Sequence, residues 1–370
     1  MRNLSLIIWT ICLSACYVSD DLPPDQKAWQ YDLPSSVGLS NLELTNLDLL
    51  IESRNFGQVN GMVIIKDDHL IFENYYNGTN RQTIHEIGRA TCAVAVLTLG
   101  KLIEDGLIAN LDVPIANFLP EYEDIFNAEP RKRNITFRHI LENKMGIPWN
   151  EYTVNTSTSK SQFYQMKRES DWVRFVLSQT LEADPGLRIV LNSGSAMVLS
   201  KVFENILLNE TLEEYIDRNI FKPIGITNYE WVRDPSGSLD LATGLSISTL
   251  DFTRIGYLMQ QEGRWSDRKR VIDRFWILDA TQLVTPFLEN FGFGYYWWVF
   301  TDAFNEEVFN GLRTYSINGY AGQCIYVAPD DNLVVCIMAD NPYSDSVYNP
   351  SLDIYRRILT AVTTTTEDNS

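Results

Sequence analysis

The chain has 370 residues, of which 45% are hydrophobic and 12% aromatic, so it can bury a sizeable core as one large or two modest domains. Lys and Arg number 30 against 48 Asp and Glu, which gives a net charge of −18. This acidity disfavours phosphate backbones and acidic lipid surfaces as binding partners, and it argues against a nucleic-acid-binding function.

The amino terminus has the build of a secretory signal. One Arg precedes an apolar stretch over residues 4–12, which is too short to cross a bilayer as a helix. The next residues, Leu13-Ser14-Ala15-Cys16, resemble the bacterial lipobox, in which the signal is cut before a cysteine that then carries lipid. We therefore predict a signal peptide over residues 1–15 and a lipidated Cys16. The alternative is a plain signal peptide cut nearby.

A flexible tether is predicted over residues 16–42, which are rich in Asp, Pro and Ser and show no periodicity. Within it, Ser19-Asp20-Asp21 is similar to signals that carry some lipoproteins to the cell surface. The expected location is the bacterial cell envelope, with a lipid anchor in the outer membrane that faces either the periplasm or the exterior. At the other end, residues 363–370 are expected to be a disordered tail.

Strand patterns lie near both ends of the intervening chain. Residues 61–78 alternate around Asp67-Asp68 and predict a β-hairpin, and residues 292–340 predict a meander of strands. Residues 90–103 are apolar all round, which is typical of a helix buried inside a domain. A last helix is predicted over residues 351–362.

This order of elements predicts one α+β domain over residues 43–362. Its antiparallel sheet would be built from residues 43–89 and 286–362 and flanked by terminal helices. An all-helical subdomain, residues 90–285, would be inserted between the two halves of the sheet. Such an order excludes two sequence-contiguous domains.

The five cysteines include no CxxC pair, and the three histidines are scattered, so we expect neither a zinc site nor another cofactor. Cys324 and Cys336 flank a predicted turn at residues 329–332 and could face each other as a cross-strand disulfide. Two small apolar strand residues are the favoured interpretation, because a disulfide demands a specific approach of the two Cβ atoms.

Several longer motifs occur in order along the predicted domain. They include HEIGRATCAVAVLTLGKLIEDGLIANLDVPIANFLPEY, ITFRHILENKMGIPW, PGLRIVLNSGSAMVLSKVF and GYAGQCIYVAPDDNLVV. Together they resemble the penicillin-recognising serine hydrolases, in particular the class C β-lactamase and esterase branch. The resemblance implies a β-lactamase/transpeptidase-like fold and chemistry on esters, amides or β-lactams.

The residues that carry this chemistry in the family are replaced here. Active members have Ser-x-x-Lys at the start of the buried helix, whereas this chain has Arg89 at the serine position and Cys92 at the lysine position. Arginine stays protonated and is neither a nucleophile nor a usable base. The tyrosine of the second motif is replaced by Leu191 or Val190, according to the alignment, and only Asn192 and Ser193 remain.

The third family motif, on the strand that edges the pocket, appears as residues 318–323 without the Lys or His of many relatives. The predicted cleft residues are Arg89, Asn192, Ser193, Tyr320, Gly322 and Gln323. Because all three proton-handling groups are lost together, the leading hypothesis is a non-catalytic member of the family.

Two roles for Arg89 stay open under this hypothesis. Arg89 could bind the carboxylate of a small acid or peptide in the old cleft, since it would project from the start of a helix. It could instead fill the cleft by pairing with an acid such as Glu86 or Glu182.

The alternative hypothesis is an active hydrolase that uses an unfamiliar nucleophile such as Cys92. A helix N-terminus and the nearby Arg89 would both lower the pKa of its thiol, whereas its apolar neighbours are typical of a buried, inert cysteine. A second Ser-x-x-Lys, residues 157–160, lies in a polar run between helices and is interpreted as composition.

Overall fold

The computed structural model describes residues 29–151, 159–266, 269–341 and 350–363. The predicted signal peptide, the lipobox with Cys16 and the tail from residue 364 onward therefore lie outside the described residues.

The described residues form one large sheet and two small ones. The strands are β1 (Gln30–Tyr31), β2 (Val59–Lys66), β3 (His69–Tyr75), β4 (Ile84–Glu86), β5 (Tyr229–Trp231), β6 (Leu245–Ser248), β7 (Arg264–Ser266), β8 (Lys269–Arg270), β9 (Thr285–Pro286), β10 (Phe291–Phe293), β11 (Trp298–Phe300), β12 (Tyr315–Asn318), β13 (Cys324–Ala328) and β14 (Leu333–Ala339). Among these residues the large sheet has nine strands in the order β1-β3-β2-β14-β13-β12-β11-β10-β9.

Both ends of the chain contribute to this sheet, as predicted. The β2–β3 hairpin pairs antiparallel with β14, and Ile64 lies opposite Val335. The strands from β9 to β14 follow one another as an antiparallel meander. The family fold expected from the motifs is therefore confirmed.

Helices cover the two faces of the large sheet. The α-helices are α1 (Asn41–Glu52), α2 (Cys92–Glu104), α3 (Glu123–Ala128), α4 (Phe137–Leu141), α5 (Gln162–Met166), α6 (Trp172–Ser178), α7 (Ser195–Ile206), α8 (Leu212–Ile216), α9 (Lys222–Ile224), α10 (Thr249–Gln260), α11 (Arg274–Ala280), α12 (Asp302–Val308) and α13 (Pro350–Thr363). The terminal helices α1 and α13 pack together on one face, and α10 packs on β13 and β14 from the other. No helix in the described part of the chain is long and apolar enough to span a membrane.

The inserted region is not purely helical, which corrects one detail of the prediction. Strand β6 pairs with β4 and β5, and β7 pairs with β8. These strands have two to four residues. So short a segment shows too few alternations for a period-two pattern to be distinguished from a loop.

Residues 29–42, which were predicted to belong to a flexible tether, are part of the folded domain. Trp29 is buried, β1 joins the sheet, a 3-10 helix covers Pro34–Val37, and α1 begins at Asn41. Ser40 caps α1 by accepting from the N–H of Glu43. The composition of residues 29–42 predicted a flexible segment, because the burial of a single tryptophan leaves no periodic pattern in the sequence.

The interpretation of Cys324 and Cys336 as apolar strand residues is confirmed. Cys324 lies opposite Ile337, and Cys336 lies opposite Ile325. The two cysteines are therefore one register position apart and point to opposite faces of the sheet. Both are buried and free.

Candidate functional site

Arg89 is placed by a short 3-10 helix, Gly88–Thr91, that leads directly into α2. Gly88 has a φ of +54°, which glycine adopts without strain, and it turns the chain from β4 into this helix. The helix that follows is buried, as its all-apolar pattern predicts, with Ala93 and Val96 fully inaccessible. Because α2 occupies the interior, the 3-10 helix that leads into it carries Arg89 into the interior as well.

Arg89 faces a carboxylate there. Its Nε lies 3.9 Å from Oε1 of Glu151, and the two side chains are 5% and 0% exposed. Glu151 also accepts hydrogen bonds from Trp149 Nε1 at 2.7 Å, from Ser193 N at 3.2 Å and from Ser193 Oγ at 2.5 Å. A guanidinium and three donors thus surround one buried carboxyl group.

These contacts oppose the effect of burial on Glu151. Burial raises the pKa of Glu151 above its ordinary value, because a charged carboxylate loses its hydration. Arg89 first, then the hydrogen bonds from Ser193 and Trp149, act to lower that pKa. Removal of Arg89 would therefore leave Glu151 with the cost of burial and without its cation.

The acid beside Arg89 is not one of the two expected from the sequence. Glu86 is exposed on β4, and Glu182 forms a surface pair with Arg188. Glu151 follows the IPW segment, and only the tertiary fold brings it to Arg89, 62 residues away. Among acids in loops, no local pattern distinguishes one that will be buried.

Cys92 is buried beside this pair. Its side chain is 1% exposed, and its Sγ lies 3.7 Å from the carbonyl oxygen of Ala242. Burial raises the pKa of Cys92 to about 12, although Arg89 acts in the opposite direction. The thiol is therefore protonated at neutral pH and does not supply a thiolate nucleophile.

The second motif forms the wall next to Glu151. Leu191 is 8% exposed and carries no proton-transfer group, and Val190 donates its N–H to the carbonyl oxygen of Asn143. Asn192 Oδ1 accepts from Ser195 N at 3.2 Å, at the start of α7. Asn192 and Ser193 are thus used to hold α7 and Glu151 in place.

Tyr296 belongs to the same wall, although the sequence did not indicate it. Its hydroxyl lies 2.5 Å from Ser195 Oγ, and its φ is +60°. Burial raises the pKa of Tyr296 well above its ordinary value, so the phenol stays protonated. Tyr296 lies in an aromatic-rich run of the predicted meander, and a buried hydroxyl within such a run has no local signature.

The third family motif, residues 318–323, lies next to the hydrogen-bond network around Glu151. Tyr320 donates its hydroxyl proton to Ser193 Oγ at 3.4 Å and packs against Phe163 with a centroid distance of 5.8 Å. Gln323 accepts from Ala321 N at 2.9 Å and donates to the carbonyl oxygen of Glu86 at 3.1 Å. Gly322 has a φ of +92°, so it and Gln323 shape the turn between β12 and β13.

The other candidates are placed as follows. Ser159 and Lys160 of the second Ser-x-x-Lys are exposed, whereas Ser157 and Thr158 lie outside the described residues. Among the residues that the structure describes, no group of three His, Cys, Asp or Glu side chains could hold a metal ion.

The residues of the three motifs lie together, beside the large sheet and the buried helix α2. The chain is similar to known proteins over the region that contains these motifs. A family model described as Beta-lactamase matches residues 47–354. The chain belongs to the beta-lactamase family. A comparison with curated protein sequences gave no match.

Solved structures share the fold at low sequence identity. A Bacillus anthracis protein provisionally assigned as a 6-aminohexanoate-dimer hydrolase has a TM-score of 0.71 at 18% identity, over 86% of this chain and 82% of its own. A mutant simvastatin synthase from Aspergillus terreus has a TM-score of 0.66 at 15% identity, over 89% and 99%. A penicillin-binding protein from Bacillus halodurans has a TM-score of 0.62 at 16% identity, over 86% and 99%.

Proposed function

We propose that this beta-lactamase family member is a non-catalytic lipoprotein of the bacterial envelope. The observation that carries the proposal is the buried Arg89–Glu151 pair, in which Arg89 occupies the position where active relatives are expected to hold the serine. Acylation needs an oxygen or sulfur nucleophile, a group that takes its proton and a relay to the leaving group. Arg89, the protonated Cys92 and Leu191 provide none of these.

The same pair favours the structural role of Arg89 over ligand binding. A free carboxylate would have to compete with Glu151, which is already held by three hydrogen bonds. Because Arg89 is only 4% exposed, an incoming acid would also have to displace the side chains that cover it. In this proposal the old cleft is closed by its own ion pair, and binding of a small acid or peptide there is the outcome that would contradict it.

One arrangement favours a second candidate, an unconventional serine hydrolase. Ser193 Oγ lies 2.5 Å from Glu151 Oε2, which is the distance between a nucleophile and its base. Against it, Ser193 is 0% exposed, and its hydroxyl also accepts from Tyr320. A substrate carbonyl would have no approach to such an oxygen without rearrangement of the site.

The test is covalent labelling of the purified chain with a fluorophosphonate and with a fluorescent penicillin, together with turnover of nitrocefin and p-nitrophenyl esters. No label and no turnover above a heat-denatured sample are expected. Label that disappears in Ser193→Ala would establish the serine hydrolase instead. Turnover that is lost in Cys92→Ala would establish a thiol enzyme.

The envelope location rests on the lipobox-like Leu13-Ser14-Ala15-Cys16. In a bacterium that processes lipoproteins, the mature chain is expected to partition into detergent and to carry lipid on Cys16. Cys16→Ser should abolish both properties. A soluble, unmodified mature chain that begins at another residue would contradict the anchor.

A further inference from the structure

Trp29 is buried, although it lies within the segment whose composition predicted a loose tether. Its side chain is 8% exposed and packs edge-on against Tyr257 and Trp265, with ring centroids 5.5 and 6.0 Å away. The guanidinium carbon of Arg254 lies 5.2 Å from the centroid of the Trp29 ring. Two aromatic contacts and one cation–π contact therefore fix the indole in place.

The residues after Trp29 are held through their backbone. Gln30 and Tyr31 pair in parallel with His69 and Leu70 at the edge of the large sheet. Asp32 N donates to the carbonyl oxygen of Leu70 at 3.3 Å. Side-chain burial and strand pairing thus act on one short segment, residues 29–32, which we call the strap.

We propose that the strap fixes the point at which the chain joins the folded domain, and that it thereby limits the distance between the domain and the membrane surface. The proposal rests on the lipidation of Cys16. Between Cys16 and Trp29 the chain advances by about 13 residues, which span at most about 45 Å. Without the strap, the next buried side chain is Leu39, and the maximum reach would rise to about 80 Å.

The Trp29 side chain is the part of the strap that a single substitution can remove without changing the backbone groups that pair with β3. Trp29→Ala removes the indole and its three contacts. Leu33→Ala is a matched control, since Leu33 lies four residues further along and is 66% exposed. The two variants differ in docking but leave the tether sequence, residues 17–28, unchanged.

The first measurement is hydrogen exchange over residues 29–33 in the unlipidated Cys16→Ser chain. Faster exchange is expected in Trp29→Ala and unchanged exchange in Leu33→Ala. The second is energy transfer from a dye at Leu208→Cys, an 87% exposed position, to acceptors in the headgroups of phosphatidylcholine vesicles that carry the lipidated chain. Trp29→Ala should lower the transfer, because the root-mean-square distance that the connecting chain spans would rise from about 20 Å to about 27 Å.

Unchanged exchange in Trp29→Ala would overturn the strap itself. Faster exchange with unchanged energy transfer would overturn the proposal that the strap limits the distance between the domain and the membrane. If the chain never joins the vesicles while exchange responds to Trp29→Ala, the lipid anchor is wrong, and the membrane part of this inference falls with it.

Discussion

Arg89 and Glu151 form a buried ion pair between the first turn before α2 and a loop 62 residues later, with 3.9 Å between Nε and Oε1. Neither residue alone is suited to the interior, because each charge loses its hydration there. Together with the donors from Ser193 and Trp149 they form a network that the surrounding side chains enclose.

Loss of either partner should destabilise the domain. Arg89→Met and Glu151→Gln are each expected to lower the free energy of unfolding by about 3–5 kcal/mol, since each leaves a buried polar or charged partner without its counterpart. The double variant should lose less than the sum of the two. Urea denaturation followed by circular dichroism measures all three.

The exposed pair Arg188–Glu182 is the control for that experiment. Its side chains are 59% and 50% exposed, so Arg188→Ala should cost no more than about 1 kcal/mol. Equal losses in Arg188→Ala and Arg89→Met would show that the Arg89 network has no special role in stability.

Restoration of the family residues should restore covalent reactivity. The triple variant Arg89→Ser, Cys92→Lys and Leu191→Tyr supplies a nucleophile, a base and a relay. Uptake of fluorescent penicillin or fluorophosphonate is expected, measured by gel fluorescence and by mass of the labelled peptide. The double variant without Leu191→Tyr is the control and should label more slowly.

A folded but unreactive triple variant, verified by circular dichroism, would mean that the cleft has changed beyond the three positions. In that case the ion pair replaces a site that the backbone no longer forms.

The cysteines in the described part of the chain should not react with thiol reagents in the folded protein. Cys92, Cys324 and Cys336 are each at most 1% exposed, and burial raises the pKa of Cys92 and Cys324 to about 12 and that of Cys336 further. In a chain that is produced without residues 1–16, iodoacetamide at pH 8 should therefore label no cysteine before unfolding and three after it. Native-state alkylation of Cys92 would favour the thiol-enzyme alternative.

Low pH should destabilise the N-terminal cap of α4, because it protonates His139. Thr136 N donates to His139 Nδ1 at 3.3 Å in a capping box, and this contact requires a neutral imidazole nitrogen. Burial lowers the pKa of His139 below its ordinary 6.5, so the folded state favours the neutral form. The resulting stability is present above about pH 6.5 and is lost as the pH falls through the folded pKa.

His139→Gln keeps an acceptor at the same position but does not titrate. The wild type should therefore lose about 1 kcal/mol relative to His139→Gln between pH 7.5 and pH 5, measured by urea denaturation. His69→Gln, at the turn after β2, is the control. A constant difference between wild type and His139→Gln over that range would disprove the capping role of the neutral imidazole.

The sequence by itself determined the fold and the replacement of residues at the family's motif positions. Alternating residues at 61–78 and 292–340 predicted one sheet from both ends of the chain, and the apolar run at 90–103 predicted the buried helix. These patterns are local, because strand and helix periods repeat every two and 3.6 residues. The replacements at Arg89, Cys92 and Leu191 can likewise be identified in the sequence from their positions within the family motifs.

Only the tertiary structure decided which groups satisfy the buried charge and that Trp29 belongs to the folded domain. Glu151 reaches Arg89, Tyr296 reaches Ser195, and Trp29 reaches Tyr257 across separations of 62, 101 and 228 residues. The one-position offset between Cys324 and Cys336 depends in the same way on strand register. Such contacts are chosen by packing and desolvation in the folded domain, which leave no periodic trace in the local sequence.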